Sequence, residues 1–201
     1  ELIAAANTVK EASGGDVIGA VIRGKRTDTA IDTITGVVMN SWGDSPVEYP
    51  QNIWFDGGWD NPQIDNPAII RGLSQYAALM SAGPDDIQAY DWNEAGTAMQ
   101  QNLAAFFLDA SLFGPWFESD ESPSQGNIGY TVIPPQTAGG QSYTAHWQWG
   151  IGMPANAQNK DAAWYFIQYI TNKQNEPIIG AKHGGAARMS TWDNPVYADT
   201  L

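Results

Sequence analysis

The chain has 201 residues, of which 43% are hydrophobic, so it carries enough apolar surface to fold rather than remain disordered. Its formal net charge of −13 argues against binding to nucleic acid or to anionic membranes, because both would repel it. The absence of cysteine excludes disulfides, thiolate nucleophiles and zinc–sulfur sites.

The chain begins with Glu1 rather than Met, and its sequence shows neither a secretory leader nor an apolar run long enough to cross a bilayer. We therefore expect it to be part of a longer protein. The missing leader then says nothing about the compartment in which that protein works.

The first third of the chain predicts two helices around a strand. Apolar residues at helical spacing predict a helix from Leu2 that Gly14-Gly15 ends. Residues 17–22 form a short apolar run that predicts a buried strand. Ile31, Ile34, Val37 and Val38 predict a second helix, which fades near Trp42.

The middle of the chain predicts loops followed by two capped helices. Residues 43–63 are rich in Pro, Gly, Asn and Asp, which indicates loop and turn structure. Asn66-Pro67 is a strong helix start, and Gly83-Pro84 predicts the end of that helix. Asp91-Trp-Asn-Glu94 resembles a capping box that opens another helix.

The remaining sequence predicts three strands and a helix. Residues 104–108 are a compact apolar run and predict a central strand, while residues 127–133 and 146–153 predict two further strands. Asn159 is placed to cap a helix whose predicted buried face is Ala163, Phe166, Ile167 and Ile170. Because helices and short apolar strands interleave, the predicted fold class is α/β.

The sequence contains no recognisable catalytic motif. His146 and His183 stand far apart, without metal-ligand spacing, and the sequence contains no G-x-S-x-G and no phosphate-binding loop. Asp109, just beyond the predicted central strand, is the best candidate for a site carboxylate. A glycosidase needs two carboxylates at a defined gap, so a single acid is better suited to binding hydroxyls. We predict no catalytic residue, no metal and no cofactor.

Tryptophan is the most informative residue type in the sequence. There are nine, and Trp42, Trp116, Trp147 and Trp149 stand in predicted loops or strand ends beside Gly or small polar residues. An indole ring covers the C–H face of a sugar or polyol while nearby polar side chains bind its hydroxyls. The alternative for Trp147 and Trp149 is that they share one face of a strand and pack in the core. Trp164, within a predicted helix, is left out of the site.

Four ordered stretches resemble family 1 extracellular solute-binding proteins. The longest is W-Q-W-G-I-G-M-P-A-N-A-Q-N-K-D-A-A-W-Y-F-I-Q-Y-I-T, from Trp147 to Thr171. The others are Gly57-Gly-Trp with N-P-Q-I-D-N-P, the helix–strand unit that ends in F-F-L-D-A-S, and G-G-A-A-R ending at Arg188. The sequence departs from the family pattern at Asn102, where Gly is common, and at Ala187, where Pro is frequent.

The resemblance implies a periplasmic-binding-protein-like fold of type II, with two lobes that close on a ligand around a hinge. It implies that residues 1–149 belong mainly to the second lobe, that residues 150–155 form a hinge crossing, and that residues 156–201 are a partial first-lobe segment. The ligand-binding residues that it implies are Trp42, Asp109, Ser111, Trp116, Trp147, Trp149 and Arg188.

The function implied by the resemblance is non-covalent capture of a sugar alcohol such as sorbitol or mannitol, or of a mono- or disaccharide. Hinge closure would then present the ligand to the permease of an ABC transporter. The expected protein is an exported bacterial monomer, periplasmic or extracellular and membrane-anchored. A glycosidase, and a carbohydrate-binding module built as a β-sandwich, remain as alternatives.

Overall fold

The computed structural model describes residues 1–42, 53–147 and 149–199. Residues 43–52 of the loop predicted over residues 43–63 therefore lie outside the described residues, as do Gln148, Thr200 and Leu201. The chain divides into two compact units. Unit one comprises Glu1–Asp109 and Glu121–Ala145, and unit two comprises Ala110–Asp120 and His146–Leu201.

Unit one contains helices and a two-stranded sheet. The helices are α1 (Leu2–Ala12), α2 (Ala30–Asn40), α3 (Pro67–Ser81) and α4 (Trp92–Gln100), with a short 3₁₀ turn at Ile87–Ala89. The strands are β1 (Ile18–Val21) and β2 (Ala104–Phe107), which lie parallel, with Ile18 opposite Ala104 and Val21 opposite Phe107. The parallel pairing agrees with the predicted α/β class.

Both predicted helix starts in unit one are confirmed. The Asn66 side chain accepts a hydrogen bond of 2.9 Å from the Ala68 amide, and Pro67 occupies the first turn of α3. At α4 the Asp91 carboxylate accepts from the helix backbone while the Glu94 carboxylate accepts from the Asp91 amide. These side chains satisfy backbone donors that the first turn of a helix leaves unpaired.

The end of α4 explains one departure from the family pattern. Asn102 has a φ of +56°, a left-handed conformation that Gly adopts most easily and Asn adopts better than most residues. The Leu103 amide donates to the Ala98 carbonyl and the Asn102 amide to the Met99 carbonyl, which is the Schellman pattern of helix termination. Asn102 therefore ends the helix as Gly would.

The core of unit one surrounds the parallel strands. Buried side chains of β1 and the residue after it meet buried residues from helices α1 to α4, from β2 and from the stretch between α3 and α4: Ala6, Ala20, Val21, Ile22, Val37, Tyr76, Leu79, Ala82, Ile87, Ala95, Ala98 and Ala104. A smaller cluster joins Val38, Ile53 and Ile69, and Trp42 and Trp54 pack against it half-buried. Apolar residues of α2 and α3 thus contribute to both clusters.

Two of the predicted strands are wrong. Residues 127–133 contain no strand, and neither do the described residues of 146–153. In the first stretch Tyr130 and Val132 are each more than half exposed, and in the second Trp149 is 93% exposed. Alternation of apolar residues forms a strand only where a neighbouring strand supplies hydrogen bonds, and these stretches have no such partner among the described residues.

Unit two is built from short helices. They are α5 (Gly114–Phe117), α6 (Lys160–Thr171), α7 (Glu176–His183), α8 (Met189–Trp192) and α9 (Pro195–Ala198), preceded by a 3₁₀ turn at Ser111–Phe113. The buried residues of this unit include Phe113, Phe117, Pro177, Thr191 and Tyr197. The Glu176 carboxylate ties the end of the unit together, since it accepts hydrogen bonds from the Thr191 hydroxyl and from the Ala187 and Arg188 amides.

Helix α6 begins directly after Asn159, as predicted, but its predicted buried face is wrong. No residue of α6 is buried, and Phe166 is 55% exposed. The periodicity of the sequence does mark an apolar side, but no described element covers it. Within the described residues no helix is both long and apolar enough to span a membrane.

Candidate functional site

The carboxyl ends of β1 and β2 carry a buried ion-pair cluster. Arg23 lies two residues beyond Val21, and Asp109 lies two residues beyond Phe107, so the two side chains stand at matching positions past the paired strands. In open α/β sheets, ligand sites form at this edge because the loops that follow parallel strands converge there.

The geometry of the cluster is that of a two-pronged guanidinium–carboxylate pair. Arg23 donates from Nε to one oxygen of Asp109 at 2.6 Å and from Nη2 to the other at 2.5 Å. Its Nη1 donates to Asp32 at 2.6 Å and to the Thr29 carbonyl at 3.1 Å. The side chains of Arg23 and Asp109 are only 7% and 1% exposed. Such pairs are short and directional.

Burial and charge act in opposite directions on Arg23. Burial alone would disfavour the guanidinium charge, but the hydrogen bond and charge of Asp109, together with those of Asp32, outweigh it and raise the pKa of Arg23. The Tyr76 hydroxyl donates to the Arg23 carbonyl, and burial raises the pKa of Tyr76. The Arg23 guanidinium is therefore charged at neutral pH, while the Tyr76 hydroxyl is neutral.

The cluster does not have the properties of a glycosidase pair. Both oxygens of Asp109 and one oxygen of Asp32 accept hydrogen bonds from the same guanidinium, so neither carboxyl is placed to give a proton to a substrate. Glycoside hydrolysis needs one of two carboxyls to be protonated as the general acid. The β-sandwich alternative also fails, because the described sheet is a parallel pair flanked by helices.

The structure places Trp42 and Asp109 in unit one and the other predicted site residues in unit two. Trp42 follows the end of α2 and is half-buried against the small cluster of Val38, Ile53 and Ile69. Just before it, the Ser41 carbonyl accepts a hydrogen bond of 2.9 Å from Arg71. Trp42 therefore serves at least partly as a packing residue.

Ser111 and Trp116 lie on one continuous segment of unit two. Ser111 is exposed and opens the 3₁₀ turn that leads into α5. The Trp116 ring stacks on Phe113 and Phe117, with ring centroids 5.7 and 6.0 Å apart. Since Phe113 and Phe117 are buried, this packing fixes the orientation of the half-buried indole.

Trp147 and Trp149 are both exposed to solvent. Trp147 is 52% exposed and Trp149 is 93% exposed, both in irregular backbone. Among the described residues, neither ring packs in a core. Indole side chains are large and apolar, and leaving two of them in water is unfavourable unless something binds to them.

Arg188 borders an open cavity of about 470 Å³ on unit two. Its Nε donates to the Thr171 carbonyl at 2.7 Å, at the carboxyl end of α6. The other lining residues come from α6 and the residue after it: Tyr165, Gln168, Tyr169, Thr171 and Asn172. Aromatic rings, amides and a guanidinium are the groups that bind hydroxylated ligands in water.

The sequence did not point to Arg23 or to the two tyrosines of the cavity. Arg23 follows a predicted strand at the same offset as Asp109, and that matching offset is the signal that could have paired them. Tyr165 and Tyr169 stand four residues apart on α6, so helical spacing could have placed them on one face. Among the described residues, no group of three or more His, Asp or Glu is arranged to hold a metal ion.

The family model described as "Bacterial extracellular solute-binding protein" matches residues 1–177. The chain therefore belongs to this family of bacterial extracellular solute-binding proteins, as its motifs predicted. The family's description also agrees with the predicted export from the cell and with a binding protein rather than an enzyme.

Two curated relatives carry specific names. The erythritol/L-threitol-binding protein of Mycolicibacterium smegmatis is 33% identical over 143 residues, which cover 69% of this chain and 30% of that protein. The mannitol-binding protein of Pseudomonas aeruginosa is 25% identical over 189 residues, which cover 90% of this chain and 41% of that protein. The chain thus spans less than half the length of these relatives.

Solved structures establish the fold. Maltose-bound MalE3 of T. maritima matches the whole chain with a TM-score of 0.80 at 21% identity, and the match covers 49% of that structure. A solute-binding protein of Agrobacterium vitis with bound D-mannitol matches with a TM-score of 0.76 at 25% identity, covering 47% of that structure. The predicted α/β fold of a type II periplasmic binding protein is confirmed.

Proposed function

We propose that this chain contributes to the reversible binding of a polyol, or of a small sugar, for uptake through an ABC transporter. The observation that carries the proposal is the exposure of Trp147 and Trp149 in a member of a solute-binding family. The names of the relatives, which bind erythritol, L-threitol or mannitol, favour polyols as the ligand class.

The chemistry of the ligand site follows from the side chains. Indole rings of Trp116, Trp147 and Trp149 would cover the C–H faces of the ligand and exclude water from its hydroxyls. Ser111 and Arg188 would donate hydrogen bonds to those hydroxyls, and a bond from a guanidinium is stronger than one from a neutral group. A polyol needs no metal or cofactor for such binding.

Release and delivery would depend on lobe closure. We assign residues 1–149 mainly to the second lobe, residues 150–155 to a hinge crossing and residues 156–201 to the first lobe. Closure follows binding only if the ligand binds the closed arrangement more tightly than the open one. The closed form would be recognised by a membrane permease, and the binding protein would work as a monomer, either free in the periplasm or anchored to a membrane.

The test is calorimetric titration of the full-length protein that contains this chain with erythritol, D-mannitol, ribitol, sorbitol, glucose and maltose. We expect saturable binding of at least one polyol. Trp149→Ala should weaken it by about 1–3 kcal/mol, the usual cost of removing a stacking aromatic anchor. Trp59→Ala is the matched control, because Trp59 is 80% exposed but lies outside the predicted site.

Trp116→Ala should weaken binding by a similar amount, about 1–3 kcal/mol. Its effect has to be separated from folding by a melting curve, because Trp116 packs on Phe113 and Phe117. Equal affinities of Trp149→Ala and the unchanged chain would remove Trp149 from the site. No heat of binding with any of the six compounds would contradict the proposed function.

A further inference from the structure

We propose that Arg23 and Asp109 are a positioning pair, which fixes the backbone where β2 ends and so sets the course of the segment that follows. The proposal rests on the proposed function, because that segment, residues 110–117, carries Ser111 and Trp116. Asp109 then acts on the ligand through Arg23 and the backbone rather than by direct contact.

The position of the pair is the first argument. The last matched residues of the two strands are Val21 and Phe107, and beyond them the backbone link weakens, since the Leu108 amide stands 3.5 Å from the Val21 carbonyl. A good N–H···O bond is about 2.9–3.0 Å long. Beyond the last good backbone hydrogen bonds of the sheet, the side chains of Arg23 and Asp109 therefore link the two strands.

The accessibility of Asp109 is the second argument. Its side chain is 1% exposed, and each of its carboxylate oxygens accepts a hydrogen bond from Arg23. A ligand arriving from solvent meets neither oxygen in this arrangement. The two-pronged bond fixes the plane of the carboxylate as well as its distance, so it restrains the backbone of Asp109 more than a single contact would.

The energetics of burial are the third argument. Taking a guanidinium and a carboxylate out of water costs about as much as their attraction returns, and a well-packed apolar pair is often equally stable. A contribution to stability therefore does not explain why a charged pair is buried at this place. A role in fixing the geometry at the start of a ligand-binding segment does explain it.

The first experiment compares Asp109→Asn with Asp32→Asn. Both variants remove a carboxylate from the same guanidinium, but Asp32 lies in the first turn of α2 and Asp109 lies directly before the segment. Hydrogen exchange of the full chain is followed by mass spectrometry, with the amides of α3 as internal reference. Relative to that reference, Asp109→Asn should raise exchange over residues 110–117 by about tenfold, and Asp32→Asn should not.

Arg23→Lys keeps the positive charge but loses the two-pronged geometry, so it should reproduce the effect of Asp109→Asn. It also serves if Asp109→Asn does not fold. In calorimetric titration with D-mannitol, both variants should bind about tenfold more weakly than the unchanged chain, while Asp32→Asn should bind within about twofold.

The outcomes separate this inference from the proposed function. If the unchanged chain binds no polyol, the proposed function fails, while the exchange comparison still decides whether the pair positions the segment. Unchanged exchange over residues 110–117 in both Asp109→Asn and Arg23→Lys, or equal increases with Asp32→Asn, would overturn the pair's role. Weakened binding in Asp109→Asn without any change in Arg23→Lys would make Asp109 a direct ligand contact and would also overturn it.

Discussion

Asp91 shows how one side chain can serve both a helix and a neighbouring loop. Its carboxylate caps α4 and also accepts a hydrogen bond of 2.6 Å from the Thr29 hydroxyl, in the loop between β1 and α2. The bond from Thr29 lowers the pKa of Asp91, and the backbone bond of the cap acts in the same direction. The charged form of this residue is therefore favoured by folding.

Asp91→Ala should lower the free energy of unfolding by about 1 kcal/mol at neutral pH, the usual cost of losing a helix cap. Because the folded-state pKa lies below the ordinary value of 3.8, this stabilisation is complete above that value and is lost as the pH falls through the folded-state pKa. The difference between the variant and the unchanged chain should then shrink in acid. Urea denaturation at about pH 7 and about pH 3 measures it.

Asp86→Ala is the control for that substitution. Asp86 also precedes a short helical turn, at Ile87–Ala89, but its side chain makes no capping hydrogen bond. Asp86→Ala should therefore lower the free energy of unfolding clearly less than Asp91→Ala does. Equal losses in the two variants, or a difference that persists at low pH, would show that the carboxylate of Asp91 is not the source of the stabilisation.

At the scale of elements, the packing of α2 against α3 depends on a glycine. A Cβ atom at Gly72 in α3 would lie 2.7 Å from the Cα atom of Val38 in α2, closer than two carbon atoms can approach. Gly36, in α2 itself, has nothing within 4 Å of the same position. Substitutions at the two glycines therefore test different effects. A change at Gly72 tests the close contact between α2 and α3, and a change at Gly36 tests helix propensity.

Gly72→Ala should destabilise the chain by about 1–3 kcal/mol, because the backbones of α2 and α3 must move apart. Gly36→Ala should stabilise it by about 0.5–1 kcal/mol, since alanine loses less backbone entropy in a helix. Chemical denaturation of both variants measures whether Gly72→Ala lowers the free energy of unfolding and Gly36→Ala raises it. A neutral Gly72→Ala would mean that the two helices do not pack this closely.

The same scale shows which elements the sequence could predict. Helix starts at Asn66 and Asp91 were predictable because the donor and acceptor of each capping hydrogen bond lie within three residues of each other. The strands predicted at residues 127–133 and 146–153 are absent from the described residues there, because a strand depends on a partner that is distant in sequence. For α6 the periodicity located the helix but could not tell whether another element covers it.

For the whole molecule, the family resemblance predicted the fold from ordered local motifs. The candidate site was harder, because its partners are far apart along the chain. Asp109 was singled out from its place after an apolar run, but Arg23, to which it is bound, lies 86 residues away. The sequence also did not indicate solvent exposure, so it left open whether Trp147 and Trp149 lie in the core or on the surface.

Charge is a property of the whole molecule and gives a further prediction. With 22 acidic and nine basic residues, the folded chain repels itself at neutral pH. Raising NaCl from about 0.01 M to about 1 M shortens the screening length from about 30 Å to about 3 Å. We expect the melting temperature at pH 7 to rise by about 2–4 °C, equivalent to roughly 1 kcal/mol.

The matched control for screening is the same titration near pH 4, close to the isoelectric point of about 4.2. There the net charge is small, so added salt should change the melting temperature much less. An equal rise at both pH values would indicate a general effect of salt on hydration instead of relief of charge repulsion.

The register of β1 on β2 also has a consequence for how the chain assembles. Among the described residues, Ile18 pairs with Ala104, so the parallel pair of β1 and β2 cannot form until β2 has been synthesised. Helices α1 to α4 draw on signals within a few residues and can form before that encounter. Bringing the two strand segments together closes a long loop, which costs chain entropy. We therefore expect this step to limit the folding rate of unit one.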